Sequence, residues 1–196
     1  TVDFGASDSP VAPERLEKEK LFQFPAVIGT VVVIVNVPGV DGTKIKLTGD
    51  LLGEIYVGRV RLWNDPKIAA LNPALKLPQI PISPAYRADS SGTTSIFTKY
   101  LSGVSPLFKE RTGAGNSVAW RTGLGAPGNA GVAAAVKNIK GGIGYVEFAY
   151  AAEKDTQARD TESVLPRPEA VLARPDPPLQ NRAGQPATDD PGKPRV

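Results

Sequence analysis

The chain contains no cysteine, no histidine and no methionine. Without cysteine there are no disulfides and no thiolate metal sites, an absence that fits an extracytoplasmic protein. Without histidine the commonest general base and metal ligand is gone, and neither a Ser-His nor a Cys-His nucleophile pair can be built. Long apolar runs are lacking too: the longest, Ala26 to Val35, is interrupted by Gly29 and Thr30 and is too short to cross a bilayer. The 23 basic and 20 acidic side chains leave a net charge of +3 spread along the chain. That pattern gives no nucleic-acid footprint and no basic membrane-binding tract, while anions the size of phosphate stay open as partners. The first residue is Thr and no charged segment followed by an apolar run opens the chain, so a processed chain or a fragment is expected.

What is present is a core-forming chain of 196 residues, 41% of them hydrophobic, enough for one domain with or without an appendage. "TVDFGAS" reads as a short strand ending in a tight turn at Asp8, and "SPVAPERLEKEK" as an exposed helix capped by Ser9 with Pro10 in its first turn. Phe24 to Gly39 is rich in β-branched residues and predicts one long buried strand or two short ones. "LTGDLLGEIYVG" predicts a helix with Thr48 or Asp50 as cap and Gly58 as stop, and a second helix follows from Asp65 to the Asn72-Pro73 breaker. "LKLPQIPISPAYR" holds short extended pieces broken by prolines. Ile96, Phe97, Tyr100, Leu101 and Val104 recur at helical spacing, Asn129 to Ile139 forms a further helix closed by Gly141 and Gly142, and "IGYVEFAY" is a last buried strand. Alternation of β and α elements predicts a layered α/β fold. From Glu153 to Val196 the chain is proline-rich, carries charges of both signs and has no aromatic residue, which predicts a disordered tail or, less simply, a proline-rich partner-binding segment.

The stretch that carries chemistry is "RADSSGTTSIF", residues 87–97. It lies directly before a helix, whose first N–H groups lack intrahelical partners and carry partial positive charge. Ser91 and Thr93 add hydroxyl donors, Gly92 lets a ligand approach the backbone, and Arg87 offers a planar fork suited to a tetrahedral oxyanion. From spacing alone, plain helix capping beside an exposed arginine fits equally and is the commoner use of such residues. "GLGAPG", residues 123–128, formally matches a dinucleotide fingerprint, but no β-branched run precedes it and Pro127 lies inside, so a glycine loop before a helix is expected. "RTGAGNS" lacks the Gly-Lys-Ser/Thr ending of a phosphate-binding P-loop. Trp63 and Trp120 are expected to pack, and Glu54, Asp65 and Glu147 to act as caps or solvated charges.

"TVDFGASDSP", "LFQFPAVIGTVVVIVNVPG", "LGEIYVGRVRLWNDPKIAALNP", "RADSSGTTSIFTKYL", "GLGAPGNAGVAAAV" and "GGIGYVEFAYA" together resemble successive blocks of the periplasmic phosphate-binding protein of the bacterial phosphate-specific ABC transporter, over about Thr1 to Ala152. The resemblance implies an α/β, periplasmic-binding-protein type II-like fold of two lobes that closes on one phosphate. Residues 1–29 would be a remnant of the first lobe, 30–152 a nearly complete second lobe, and 153–196 the disordered tail, with the chain truncated at both ends relative to the family. By the family motif, Asp8 would accept a hydrogen bond from protonated phosphate, Arg87, Ser91, Gly92 and Thr93 would bind the anion from the other lobe, and Asp89 would orient Arg87. An ionised acceptor at Asp8 suits protonated phosphate and opposes sulfate. The resemblance further implies inorganic phosphate and the importer's permease subunits as partners, a monomer in the periplasm or attached to the cell envelope, no nucleic acid, no cofactor, no metal and no catalysis. Because the family's N-terminal phosphate-binding loops have no counterpart in these blocks, weak binding is expected. The competing readings are a non-binding remnant or interaction protein of the same fold, and a phosphoryl- or acyl-transfer enzyme, for which no motif speaks.

Overall fold

Strands form here where apolar residues find a hydrogen-bonded neighbour. The computed structural model describes residues 5, 10–26 and 28–152, so the strand expected over 1–7 (apart from Gly5), Asp8 and the tail 153–196 lie outside the described residues. Four strands, β1 (Val31–Asn36), β2 (Ser83–Arg87), β3 (Leu124–Ala126) and β4 (Gly142–Glu147), make one sheet in the order β1-β4-β2-β3. β1 runs antiparallel to β4, while β2 runs parallel to both β4 and β3.

The expected strand over residues 24–39 shrinks to β1. Its partner sets the limit: β4 pairs as far as Val31 with Glu147, the Phe148 N–H donates to the Thr30 carbonyl, and the chain then turns into a short helix at Phe148–Ala152. Residues 21–26 and 28 are consequently exposed coil, Phe22 and Ile28 almost fully so. The same turn corrects the last expected strand, which ends at Glu147 because the Glu147 carboxylate accepts from the Ala149 N–H and starts the helix. The first helix, α1 (Pro13–Glu19), begins three residues later than the sequence suggests. A helix begun at Pro10 would put Pro13 where its missing N–H and its ring break the first turn, whereas Pro13 fits as the first helical residue.

On one face of the sheet lie α2 (Gly49–Tyr56), α4 (Gly92–Val104) and α5 (Pro106–Arg111), which bury Leu51, Leu52, Ile55, Tyr56, Phe97, Leu101 and Phe108 against Val35, Ile143 and Tyr145. On the other face α6 (Gly128–Asn138) places Val132 and Val136 against Val32, Ile34, Ala85 and Val146. The alternation of side chains along β1 and β4 supplies both faces, giving the three-layer α/β arrangement. Thr48 caps α2 by accepting from the Leu51 N–H, and Gly58, at φ +78°, follows it. α3 (Pro66–Leu71) is capped by Asp65, as its sequence suggests. Trp63 is fully buried and donates to the Gly141 carbonyl at 3.0 Å. Glu54 departs from expectation: it is neither a cap nor solvated but buried, with the Lys67 ammonium 2.6 Å from its carboxylate and Arg59 at 3.7 Å.

α4 starts at Gly92 rather than Ile96, and its buried stripe is not the apolar one expected. Thr94, Thr98 and Ser95 turn inward with Phe97 and Leu101, while Ile96 and Val104 face water. Burial of these hydroxyls is compensated locally: the Thr98 hydroxyl donates to the Thr94 carbonyl at 2.8 Å and accepts from the Gly115 N–H at 3.0 Å.

Two glycines separate packing from propensity. A Cβ on Gly53 would meet Ser105 Oγ at 2.5 Å and Ser105 Cβ at 2.6 Å where α2 crosses α5, whereas one on Gly103, in α4, meets nothing within 4 Å. Gly53→Ala is expected to destabilise by about 1–3 kcal/mol because overlap outweighs the helix-propensity gain, and Gly103→Ala to stabilise by about 0.5 kcal/mol. Urea unfolding of both variants measures this, and a stabilised Gly53→Ala contradicts the packing.

Candidate functional site

The strand order reverses beside β2. From β2 the chain crosses through α4 and α5 to β3 at the sheet edge, then returns through α6 past β2 to β4. Parallel crossovers are right-handed, so stepping outward and then back sends α4 and α6 to opposite faces. The two buried clusters are divided in that way. The carboxyl ends of the neighbouring strands β2 and β3 therefore lead to helices on opposite faces, and the N-termini of α4 and α6 open at the same sheet edge. In open α/β sheets such a switch point is the place where a ligand crevice forms.

The predicted residues Arg87, Asp89, Ser91, Gly92 and Thr93 all gather there: Arg87 ends β2, Asp89 and Ser91 lie on the four-residue turn 88–91, and Gly92 and Thr93 begin α4. Asp8 lies outside the described residues. Ser91 is the N-cap of α4: its backbone is extended and its Oγ accepts from the Thr94 N–H at 3.3 Å, while its own N–H donates to the Asn116 carbonyl at 2.9 Å. An Oγ that accepts from an amide keeps its proton for a further acceptor. The first helical hydrogen bond runs from the Ser95 N–H to the Ser91 carbonyl, so the Gly92 and Thr93 N–H groups precede the helical ladder.

Arg87 is the last residue of β2, with its side chain 12% exposed. Its Nε donates to Asp89 Oδ1 at 2.8 Å and Nη2 donates to Oδ2, a two-pronged fork. Nη1 donates to Asn129 Oδ1 at 3.4 Å, an atom that also accepts from the Glu147 N–H at 3.4 Å. Asp89 Oδ1 accepts in addition from the Gly128 N–H at 3.1 Å. α6 has no cap from the residue preceding it, Pro127. The carboxylate of Asp89 takes that place and puts a negative charge on the positive end of α6. The Arg87 guanidinium, aided by the Gly128 amide, holds the Asp89 carboxyl well below the usual carboxylate range. Because Asp89 is 45% exposed, the pair is screened and is worth about 1 kcal/mol or less to global stability. Its consequence is geometric, since both prongs of the fork are needed to fix the guanidinium plane.

Sequence reasoning missed three participants: Gly128, Asn129 and Tyr145. The Tyr145 hydroxyl lies between the Arg87 N–H, which donates to it at 3.2 Å, and Thr94 Oγ1 at 2.7 Å. The "GLGAPG" stretch also differs from expectation. Leu124–Ala126 is a strand, paired with Ala85–Arg87, because β2 offers an open edge there, and the helix after it begins at Gly128. No metal-ligating cluster of three or more acidic side chains occurs among the described residues.

A family model described as a PBP superfamily domain matches residues 1–189. The chain is 53% identical over 151 residues to the phosphate-binding protein PstS of Haemophilus influenzae, covering 77% of this chain and 45% of that one. It is 46% identical over 178 residues to the PstS of Pasteurella multocida, covering 88% of this chain and 52% of the relative. The chain thus spans about half the length of the curated relatives it matches. Among solved structures it is similar, with TM-score 0.57 and 25% identity, to a high-affinity periplasmic phosphate-binding protein bound with phosphate, over 74% of this chain and 41% of that one. A human phosphate-binding apolipoprotein, at 23% identity, shares the fold with TM-score 0.60 over 77% of this chain and 45% of its own.

The fork makes a pH prediction with a definite sign. A carboxyl depressed in the folded state contributes stability that is present above the unfolded value, about 3.9, and lost as pH falls through the folded one. The stability difference between the wild-type chain and Asp89→Asn is therefore expected to be constant above about pH 5 and to shrink below about pH 4. Carboxyl NMR should find Asp89 ionised through that range in the wild type, and Arg87→Ala should return its titration to ordinary values.

Proposed function

Because the chain belongs to the PBP superfamily, we propose that it is the solute-binding component of an ABC phosphate importer and that it binds inorganic orthophosphate at the β2–α4 turn. One observation carries the reading: a guanidinium locked by Asp89 ends strand β2, and the four-residue turn that follows leads straight into a 13-residue helix that Ser91 caps and Gly92 and Thr93 begin. Arg87 and the Gly92 and Thr93 amides supply charge-assisted donors, and the Ser91 and Thr93 hydroxyls complete a set suited to a tetrahedral oxyanion. Asp8 is proposed as the acceptor that distinguishes protonated phosphate from sulfate. Residues 30–152 are proposed to be one lobe and residues 1–29 part of the other. The names and the 53% and 46% identities of the PstS relatives support this assignment.

Action by binding and release, without turnover, goes with that role, as do permease subunits of an inner-membrane transporter as partners and a periplasmic or envelope-attached location. No helix among the described residues is long and apolar enough to cross a membrane. A non-binding relative of the same fold is the alternative, and titration separates the two.

Adding inorganic phosphate to the chain, followed by amide NMR shifts, is expected to give saturable changes at Ser91, Gly92 and Thr93 that weaken with added salt. Arg87→Ala should cost on the order of 100-fold in affinity, the worth of two charge-assisted hydrogen bonds. Asp8→Asn should chiefly reduce discrimination against sulfate. No saturable change in the wild-type chain would favour the non-binding alternative, and phosphoester turnover lost in Ser91→Ala would favour an enzyme.

A further inference from the structure

The Arg87 N–H faces a gap in the sheet. The parallel ladder between β2 and β4 pairs Ser83 with Gly142 and Pro84 with Ile143 and goes no further, while on the other side Ala88 donates to the Ala126 carbonyl of β3. Successive strand N–H groups point to opposite edges, so that of Arg87 points at β4 where no ladder carbonyl meets it. Tyr145 of β4 fills the gap with its hydroxyl, at 3.2 Å, and the same oxygen lies 2.7 Å from Thr94 Oγ1 in the first turn of α4. Its ring is fully buried and stacked on Phe97 of α4 at 4.2 Å between centroids, which leaves the hydroxyl no freedom to wander.

We infer that Tyr145 is a positioning residue for the anion site, a role that rests on the phosphate reading of the β2–α4 turn: one buried hydroxyl fixes the end of β2, which carries Arg87, against the start of α4, which carries Ser91, Gly92 and Thr93. The oxygen accepts from the Arg87 amide and shares a second hydrogen bond with Thr94 Oγ1, in which either hydroxyl can donate, so one hydroxyl serves both partners at once. Without it, a partly buried N–H and a fully buried threonine hydroxyl lose a partner, and each is driven toward water or another partner. Either movement shifts Arg87 relative to the helix terminus. Donors aimed at one tetrahedral anion from two elements lose strength together when the elements slide.

The test is phosphate titration of the 196-residue chain by NMR. Tyr145→Phe, which keeps the stacked ring, is expected to lower phosphate affinity roughly tenfold in a chain that remains folded. Thr94→Val should lower it in the same direction, Thr94→Ser should recover most of that loss, and the double variant Tyr145→Phe with Thr94→Val should lose much less than the sum. Tyr56→Phe removes another buried hydroxyl from the same aromatic cluster, one that donates to the Ala85 carbonyl, and should leave affinity unchanged. A folded Tyr145→Phe chain with wild-type affinity, alongside an Arg87→Ala chain that has lost binding, overturns the inference while sparing the phosphate reading. Equal losses in Tyr145→Phe and Tyr56→Phe overturn it as well, since they would report general destabilisation. If Tyr145→Phe does not fold, the Thr94→Val and Thr94→Ser pair decides by the same readout. Absence of phosphate binding by the unaltered chain sinks both readings.

Discussion

The reversal of strand order at β2 is the constraint on which the other features hang. A chain that steps from β2 to the edge strand β3 and then returns to β4 must place its two crossover helices on opposite faces if both crossovers are right-handed. Two helix N-termini then open side by side at one sheet edge, each with unpaired amides and partial positive charge. Left alone, such neighbours repel. The structure answers with one internal anion, the Asp89 carboxylate on the Gly128 amide at α6, while α4 is capped by the neutral hydroxyl of Ser91.

Asp89 would be an odd neighbour for an anion if its charge were unbalanced. Arg87 offsets it through two bonds and Gly128 through a third. The anion proposed for this turn would therefore meet an oriented guanidinium, its countercharge bonded to the Gly128 amide of α6, and a set of neutral amides and hydroxyls. Arginine suits this better than lysine, because a planar fork can engage a carboxylate along one edge and still present N–H groups along another. The same logic explains why the net charge of +3 says so little: the relevant field is local and is set by backbone dipoles that no residue count records.

Much of this was legible in the sequence, and the failures have physical causes. Local signals worked where Thr48, Asp65 and Ser91 cap helices, whereas the contact of Asp89 with Arg87 was implied only by the family resemblance and not by spacing. The length of β1 did not follow from its β-branched run, because a strand lasts only as far as its partner, and β4 ends at Glu147. β3, Leu-Gly-Ala, has no intrinsic strand character and exists because β2 offers it an edge. α5 was not anticipated at all. The inward face of α4 was misread since hydroxyls count as polar in a sequence yet bury readily when they bond their own backbone. Tyr145 and Asn129 stand 58 and 42 residues from Arg87, and only the sheet brings them to it.

That misread face also bears on how the site holds its shape. An apolar stripe would have packed α4 as firmly, but apolar contacts tolerate small slips along the helix axis, whereas a hydroxyl with a fixed donor and acceptor does not. Thr98 is tied to the Gly115 amide, Thr94 to Tyr145, and the Ser91 amide to the Asn116 carbonyl, so three successive levels of α4 are anchored to two segments, the loop at Gly115–Asn116 and strand β4. Directional bonds at these levels resist the translation and rotation that would carry Gly92 and Thr93 away from Arg87. For the amides and hydroxyls of the proposed site, whose donor strength falls steeply with distance and angle, this registration would keep them aimed together with the Arg87 guanidinium. A turn held in this way would lose less entropy on binding the proposed anion.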